Sequence, residues 1–482
     1  MPRFNDYPLR ASKVAVIGLD CVPAGLVLDE LASDLPVLSG LARNGFAGVL
    51  KSITPPITVP AWSCMLSGYD PGQLGIYGFR NRVDYSYGAL AIADSSSVNV
   101  PWVWDYLGWA GKQSILLGVP QTYPPPKVHG FLVSDFLAPD KKARFTHPAW
   151  LQGRLDEWAG GDYLLDVPGF RGRDKARILA DIHAMTGARF KVAEKLLDEP
   201  WDLFMLVEMG PDRLHHAFWR YHDPSHRLHE PGSPFVTALH KYYQRLDSLI
   251  GKLIDKLPDG TLILVVSDHG AQAMQGGLAI NQWLINEGYL VLKDTTASGE
   301  LKPDMVDWPR SRVWSNGGYY ARIFLNITGR EPQGVVPPSE VEALKTELRA
   351  KLNALPDHQG RLLGNQVFRP EEIYQEVQGV PPDLILLPGG LTWRALGSVG
   401  LESIYAFSND TGPDDANHHP DGLVIAALKG KRLPAPPEGR RLGRPADIRQ
   451  IAPTILAALG VTPEPSLPVG RINPWSMEED HP

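Results

Sequence analysis

The chain has 482 residues, a formal net charge of −7 and two cysteines, Cys21 and Cys64. Two cysteines exclude a disulfide framework, and an acidic balance without long Lys or Arg runs argues against a nucleic-acid partner. The apolar runs are shorter than the roughly 20 residues that cross a bilayer, and the N-terminus has no apolar signal region. We therefore expect a cytoplasmic protein without a membrane partner, whose oligomeric state the sequence does not determine.

The first part of the chain alternates short apolar runs with amphipathic stretches. The apolar runs predict β-strands, at residues 13–19, 114–119, 131–137, 203–207 and 262–266. Apolar residues spaced three and four apart predict helices at 175–197 and 236–257. Such alternation is typical of α/β folds, so we expect a mainly parallel central sheet flanked by helices. Residues 121–175, rich in Pro, Gly and aromatic residues, are predicted as an insertion near the functional site.

The pattern changes after residue 295. The following stretch is predicted to hold three short strands and a helix, at residues 313–314, 319–325, 382–387 and 340–355. Ser339 and Glu342 have the spacing of a capping box, which predicts the start of that helix. We interpret residues 296–395 as an α+β lobe inserted into a core of residues 1–295 and 396–482. The core is predicted to close with a strand at 423–428 and a helix at 446–459.

Two polar residues stand out in the first hundred positions. Asp20 follows the first predicted strand, where its carboxylate could bind a metal ion or cap a helix or turn. Thr58 comes shortly before Pro60, which suits the first position of a helix, so Thr58 is predicted just before the helix N-terminus. That position is a natural pocket for phosphate or sulfate, and a metal ion could activate the hydroxyl as a nucleophile. The alternative interpretation is an N-cap threonine.

Asp212 and His216 follow the strand predicted at 203–207. They are four residues apart and share a face of a helix. They could bind one metal ion or form an ordinary polar pair. His215 points elsewhere on such a helix and is predicted to be structural.

Asp268 and His269 come directly after the five apolar residues of the strand at 262–266. Gly270 permits the sharp turn that adjacent residues need if they are to bind one ion. In the alternative interpretation, Asp268 caps the next helix. Further along, His418 or His419 could complete a metal site, although adjacent histidines are commonly surface residues.

Together these positions supply three aspartates, three histidines and one threonine: Asp20, Thr58, Asp212, His216, Asp268, His269 and His418. In open α/β sheets, ligands bind beyond the carboxyl ends of the strands. Asp and His suit zinc, with manganese or iron as alternatives. Two such ions about 4 Å apart can clamp the attacking and leaving oxygens of an in-line displacement. The sequence therefore predicts two divalent metal ions at one edge of the sheet.

This ordered series resembles the alkaline phosphatase superfamily, specifically its type I phosphodiesterase/nucleotide pyrophosphatase branch. The matching segments include Thr58-Val59-Pro60, Ser67 to Pro71, and Ser267-Asp268-His269-Gly270. The similarity covers residues 13–295 and 396–475. It implies an alkaline phosphatase-like fold with one ion at Asp212, His216 and His418. The second ion is implied at Asp20, Asp268 and His269, with Thr58 Oγ beside it. The spacing to Asp421-Gly422 favours His418 over His419.

The chain departs from this branch near the predicted nucleophile. Ala61 stands where nucleotide pyrophosphatases usually have an Asn that helps to hold phosphoryl oxygens, and Leu74 replaces a His before Gly-Ile. Arg80, Asn81 or the 121–175 segment are candidates to supply a polar group in place of that Asn. Cys64-Met65-Leu66-Ser67 lacks the Cys-x-Pro-x-Arg pattern of sulfatases, which disfavours a sulfatase.

The expected activity is metal-dependent hydrolysis of a small-molecule phosphate ester, with a diester as the first expectation. Thr58 would attack phosphorus in line and form a phosphothreonine intermediate. A phosphomonoesterase or phosphomutase of the same superfamily is an alternative, as is a phosphonate or sulfate hydrolase. A non-catalytic metal-binding sensor or scaffold is disfavoured, because it needs neither Thr58 nor an open coordination position.

Overall fold

The structure, a computed structural model, describes residues 8–408 and 412–475. Within these ranges the helices α1 to α12 are, in chain order, Pro36–Asn44, Thr58–Ser67, Pro71–Leu74, Val103–Trp109, Leu155–Ala159, Lys175–Leu196, Gly210–His222, Ala238–Asp255, Ile280–Asn286, Val341–Asn353, Pro370–Ile373 and Ile451–Ala458. The strands β1 to β11 are Val14–Leu19, Phe46–Lys51, Arg80–Arg82, Leu90–Ile92, Ser114–Leu117, Gly130–Val133, Thr146–His147, Leu203–Glu208, Leu262–Val266, Gly270–Ala273 and Gly276–Ala279. The strands β12 to β22 are Gly299–Glu300, Val313–Asn316, Ala321–Leu325, Gln366–Phe368, Leu384–Leu387, Trp393–Leu396, Ser398–Val399, Tyr405–Ala406, Ala416–His419, Asp421–Leu428 and Ala446–Asp447.

A nine-stranded sheet forms the centre of the fold, in the order β22-β2-β21-β9-β1-β8-β5-β6-β7. The inner strands β9, β1, β8, β5 and β6 are parallel, whereas β21 is antiparallel to both of its neighbours. β1, β8 and β9 are buried along their whole length, as expected for parallel strands covered on both faces. Helices α1, α2, α6, α7, α8 and α12 bury side chains in the same core. The predicted α/β class with a mainly parallel, helix-flanked sheet is confirmed.

The register of the inner strands determines where the polar residues meet. Leu19 of β1 pairs with Glu208 of β8, and Gly18 pairs with Val266 of β9. The carboxyl ends of these three strands therefore lie at one edge of the sheet. The residues that follow each strand, including Asp20 after β1 and Asp268 after β9, emerge side by side.

A second, smaller unit packs around the antiparallel sheet β13-β14-β16-β15. Its apolar core takes side chains from Leu278 to Val399 and includes the buried face of α10. This core extends beyond residues 296–395 on both sides. The lobe boundaries at 296 and 395 stay a prediction.

The structure corrects how three predicted helices begin, and the strands predicted at 131–137 and 319–325 are shorter, at Gly130–Val133 and Ala321–Leu325. Helix α2 includes Thr58 as its first residue, because Ile57 occupies the extended position before the helix. The capping box at Ser339 does not form: residues Pro338–Glu340 make a tight 3₁₀ turn, so Ser339 lacks the extended backbone that a capping residue needs. Residues Ala446–Asp447 pair with β2 as a strand, and α12 begins only at Ile451.

Among the described residues, no helix combines the length and the apolar character that a membrane span requires.

Candidate metal centre

The first predicted group of ligands lies directly beyond β1 and β9. Asp20, Asp268 and His269 are completely buried, and their ligand atoms all lie within 4.8 Å of one another. His269 Nε2 lies 3.0 Å from Asp268 Oδ2 and 3.9 Å from Asp20 Oδ1. Asp268 does not cap a helix: its Oδ1 accepts the backbone N–H of Cys21 at 3.1 Å, which ties the end of β9 to the end of β1.

The second predicted group comes from helix α7 and strand β20. Asp212 and His216 lie on the first turns of α7, with His216 Nε2 3.2 Å from Asp212 Oδ1. His418 Nε2 lies 3.9 Å from the same Asp212 oxygen. The structure thus brings together all three residues of this group, again with ligand atoms within 4.8 Å of one another.

Antiparallel pairing of β10 with β20 joins the two groups. It sets His418 opposite Ala271, close to His269, and the two imidazole rings stack with centroids 3.8 Å apart. His419 belongs to neither group, and its Nδ1 accepts the backbone N–H of Asp421 at 3.1 Å. A glycine is needed at Gly270, the start of β10, because a side chain would not fit there: a Cβ would lie 2.4 Å from the carbonyl oxygen of Asp421. The backbone conformation of Gly270 is one that other residues can adopt.

The unmatched charges and lone pairs of these groups fit bound cations. Asp20 Oδ1, Asp268 Oδ2 and His418 Nε2 are buried and make no hydrogen bond within the described part of the chain. Burial, and then the charges of Asp268 and Asp212, raise the pKa of Asp20 well above its usual value. Burial alone would lower the pKa of His269, but Asp268 and Asp20 raise it to about 9. Divalent cations would satisfy both the carboxylates and the imidazole lone pairs.

The three imidazoles are oriented by hydrogen bonds from their outer nitrogens. The Nδ1 atoms of His216, His269 and His418 donate to Asp414 Oδ1 at 2.7 Å, to Gly270 O at 3.1 Å and to Pro56 O at 2.8 Å. In each case Nε2 is left to face the group. Metal-binding histidines are usually held in this way.

Thr58 lies between the first group and the N-terminus of α2. Its Oγ1 is 3.2 Å from His269 Nε2, and the residue is 3% exposed. Its hydroxyl does not cap the helix, since Ile57 occupies the capping position and makes no side-chain capping bond. The interpretation of Thr58 as an N-cap is therefore wrong. The partial positive charge at the start of α2 favours an anionic oxygen beside this hydroxyl.

Comparison with known families gives one decisive match. The family model described as type I phosphodiesterase / nucleotide pyrophosphatase matches residues 14–414. The chain belongs to this family. Its members are metal-dependent phosphoester hydrolases, and the resemblance found in the sequence is confirmed.

Solved structures show the same fold at low sequence identity. Phosphonoacetate hydrolase from Sinorhizobium meliloti 1021 with phosphonoformate has a TM-score of 0.58 at 17% identity, covering 94% of this chain and 96% of that one. Human ectonucleotide pyrophosphatase / phosphodiesterase 5 has a TM-score of 0.51 at 14% identity, covering 95% and 97%. An inactive threonine-to-alanine variant of the murine protein, with AMP, has a TM-score of 0.50 at 14% identity, covering 94% and 96%. A comparison with curated proteins gives no match.

Sequence reasoning missed four residues that support the centre of this phosphodiesterase-family chain. Trp62 Nε1 donates to Asp20 Oδ2 at 2.8 Å, and its position four residues after Thr58 on α2 was a usable signal. The Asp414 carboxylate accepts a hydrogen bond from His216 Nδ1 and a second one, at 2.7 Å, from Arg171 Nε. Tyr319 lies against His216 and His418. Asp414 is four residues before His418, but no sequence pattern pointed to Arg171 or Tyr319.

The structure also distinguishes the candidates that could supply a polar group in place of an Asn at Ala61. Asn81 is engaged in a local turn, where its side chain bonds the backbone of Tyr77 and Gly78. Arg80 is exposed. The 121–175 segment does approach the centre, through Arg171.

Replacing Asp414 with Asn is expected to weaken cation binding about 10- to 100-fold, a usual cost of altering the partner of a ligating histidine. Burial would raise the pKa of Asp414, but His216 and Arg171 lower it to about 2, so the native side chain is an anion. The neutral amide would hold His216 less firmly. Competition with a chromophoric chelator measures the affinity.

Asp415→Asn is the matched control, since the Asp415 carboxylate pairs with Arg220 and not with a predicted ligand. Equal cation affinity in Asp414→Asn and the wild type would show that Asp414 does not support the centre.

Proposed function

We propose that this chain hydrolyses small-molecule phosphodiesters with Thr58 as the nucleophile and two divalent cations as cofactors. The observation that carries the proposal is the position of Thr58 Oγ1, 3.2 Å from His269 Nε2, at the N-terminus of α2 and beside both groups of buried ligands. We assign one cation to Asp212, His216 and His418, and the other to Asp20, Asp268 and His269. Zinc is the first candidate, with manganese or iron as alternatives.

When bound, these cations would supply Lewis-acid stabilisation of phosphoryl oxygens and a lowered pKa of the threonine hydroxyl. The chain's own residues do the positioning. The first turn of α2 holds Thr58 beside the centre, and Trp62 fixes one oxygen of Asp20. Because all seven proposed site residues are nearly inaccessible to solvent, hydrogen bonds and charges act there in a weakly polar environment.

The proposed reaction has two displacements. Thr58 Oγ bonds to phosphorus as its proton departs, the bond to the leaving alkoxide breaks, and that alkoxide takes up a proton. Water then bonds to the phosphorus of the phosphothreonine, the Thr58 Oγ–P bond breaks, and the hydroxyl regains its proton. A threonine-to-alanine variant of the murine neighbour is inactive, which agrees with a required threonine in an enzyme of this fold.

Parallel assays of bis-p-nitrophenyl phosphate and p-nitrophenyl phosphate, on protein of measured metal content, test the substrate class. We expect faster turnover of the diester. Much faster turnover of the monoester would contradict the proposal and indicate a phosphomonoesterase or phosphomutase. Two bound cations with turnover of neither compound would also contradict it and favour the non-catalytic alternative.

A further inference from the structure

Tyr319 reaches the metal centre from outside the central sheet. It lies on the connection between β13 and β14 and is half-buried. Its ring stacks on the His418 imidazole, with centroids 4.2 Å apart and planes 28° apart. Its hydroxyl oxygen lies 3.3 Å from His216 Nε2. The phenol therefore covers the second group of proposed ligands.

Arg171 determines how the Tyr319 hydroxyl is oriented. Arg171 Nη2 donates to the hydroxyl oxygen, while Arg171 Nε donates to Asp414 Oδ2 at 2.7 Å. A guanidinium group has donors and no acceptor. The Tyr319 oxygen is thus the acceptor in this hydrogen bond, and its own proton must be donated to another atom.

His216 Nε2 is the other polar side-chain atom within hydrogen-bond distance of the Tyr319 hydroxyl among the described residues. His216 Nδ1 donates to Asp414, so the second ring nitrogen, Nε2, faces Tyr319 and Asp212. In the proposed function Nε2 binds a cation through its lone pair. Tyr319 makes no other side-chain hydrogen bond within residues 8–408 and 412–475, so its hydroxyl proton would then be free to donate into the centre.

Positive charge lies close to Tyr319. The guanidinium carbon of Arg394 lies 5.3 Å from the ring centroid, and that of Arg171 lies 5.6 Å from it. Both guanidinium groups also contact the Asp414 carboxylate. Positive charge beside the Tyr319 hydroxyl favours an anionic acceptor for its proton.

We propose that Tyr319 contacts the substrate by donating a hydrogen bond to a phosphoryl oxygen, and that Arg171 is a positioning residue that orients this hydroxyl. The proposal rests on the proposed function of the site.

Binding of inorganic phosphate to metal-loaded protein, measured by calorimetry, tests this hydrogen bond without any need for turnover. Tyr319→Phe keeps the ring on His418, so it should retain both cations while its phosphate affinity falls about tenfold. Diester kcat should fall about 10²-fold, as for the loss of one donor to a developing oxyanion. Tyr320→Phe is the matched control, because the Tyr320 hydroxyl donates to the backbone of Tyr77 and not to the centre.

The role of Arg171 is tested by combining two variants. If Arg171 acts through Tyr319, Arg171→Lys should lower phosphate affinity in the wild type and have little further effect in Tyr319→Phe. Cation content is measured in each variant, because Arg171 also pairs with Asp414, the partner of His216. Additive reductions in phosphate affinity at unchanged cation content would overturn the positioning role, because Arg171 would then contact phosphate itself.

Unchanged phosphate affinity in Tyr319→Phe would overturn the proposed hydrogen bond, and so would loss of its cations. A failure of the hydrogen-bond proposal can be distinguished from a failure of the proposed function. If the wild type binds phosphate but turns over no ester, the reaction is wrong while the hydrogen bond can still be measured.

Discussion

Thr58→Ala is expected to lower diester turnover at least about 10⁴-fold while leaving cation binding nearly intact. The loss follows because Thr58 Oγ is the only atom proposed to bond to phosphorus in the first displacement. The cations remain because the six carboxylate and imidazole ligands, from Asp20 to His418, are unchanged, and removal of a small hydroxyl leaves the surrounding helix in place. Initial rates and elemental analysis on the same preparation measure both quantities.

Thr54→Ala is the control for this experiment. Thr54 lies four residues earlier on the same segment and is half-buried, and its backbone oxygen accepts the hydroxyl of Tyr374, a hydrogen bond that the substitution preserves. We expect it to keep near-wild-type turnover. Full activity in Thr58→Ala would exclude Thr58 as the nucleophile.

Asp20→Asn is expected to change stability in opposite directions without and with cations. Without cations, burial and the nearby carboxylates of Asp268 and Asp212 disfavour the charged form of Asp20 and raise its pKa. A neutral amide removes this repulsion and can still accept the Trp62 hydrogen bond, so the cation-free variant should be more stable by roughly 1–3 kcal/mol. With cations, the variant lacks a charged ligand and should be less stable than the wild type.

Thermal unfolding with a chelator and with added zinc measures this reversal. Cation binding to the folded state alone raises stability, by about 2.7 kcal/mol at a hundred times the dissociation constant. Asp29→Asn, which removes an exposed partner of Arg441, is the control and should show no reversal. A zinc-induced stabilisation of Asp20→Asn equal to that of the wild type would contradict the assignment of Asp20 as a ligand.

The parts of this site that lie at strand ends were predictable from sequence. Apolar runs such as Leu262–Val266 identify buried strands, and parallel strands bring the residues that follow them to one edge. Asp20 and Asp268 are close together for that reason. The four-residue spacing of Asp212 and His216 likewise determines their shared face on α7.

Other parts depend on contacts between residues far apart in the chain. His418 reaches His269 only because β20 pairs with β10, a strand much earlier in the sequence. Tyr319 enters the centre from a connection in the second apolar unit, and a single aromatic residue carries no local pattern. Two helix starts were also predicted wrongly. Helix α2 begins after Ile57, earlier than Pro60 indicated, and α10 begins after the Pro338–Glu340 turn, so the capping box predicted at Ser339 does not form.

The stereochemical course at phosphorus tests the central claim most directly. A phosphorothioate diester of single configuration, hydrolysed in heavy-oxygen water, yields a chiral product whose configuration reports the number of displacements. Each in-line displacement inverts phosphorus, so attack by Thr58 followed by attack by water predicts overall retention. Inversion would show that water attacks the diester directly, and would contradict a covalent role for Thr58.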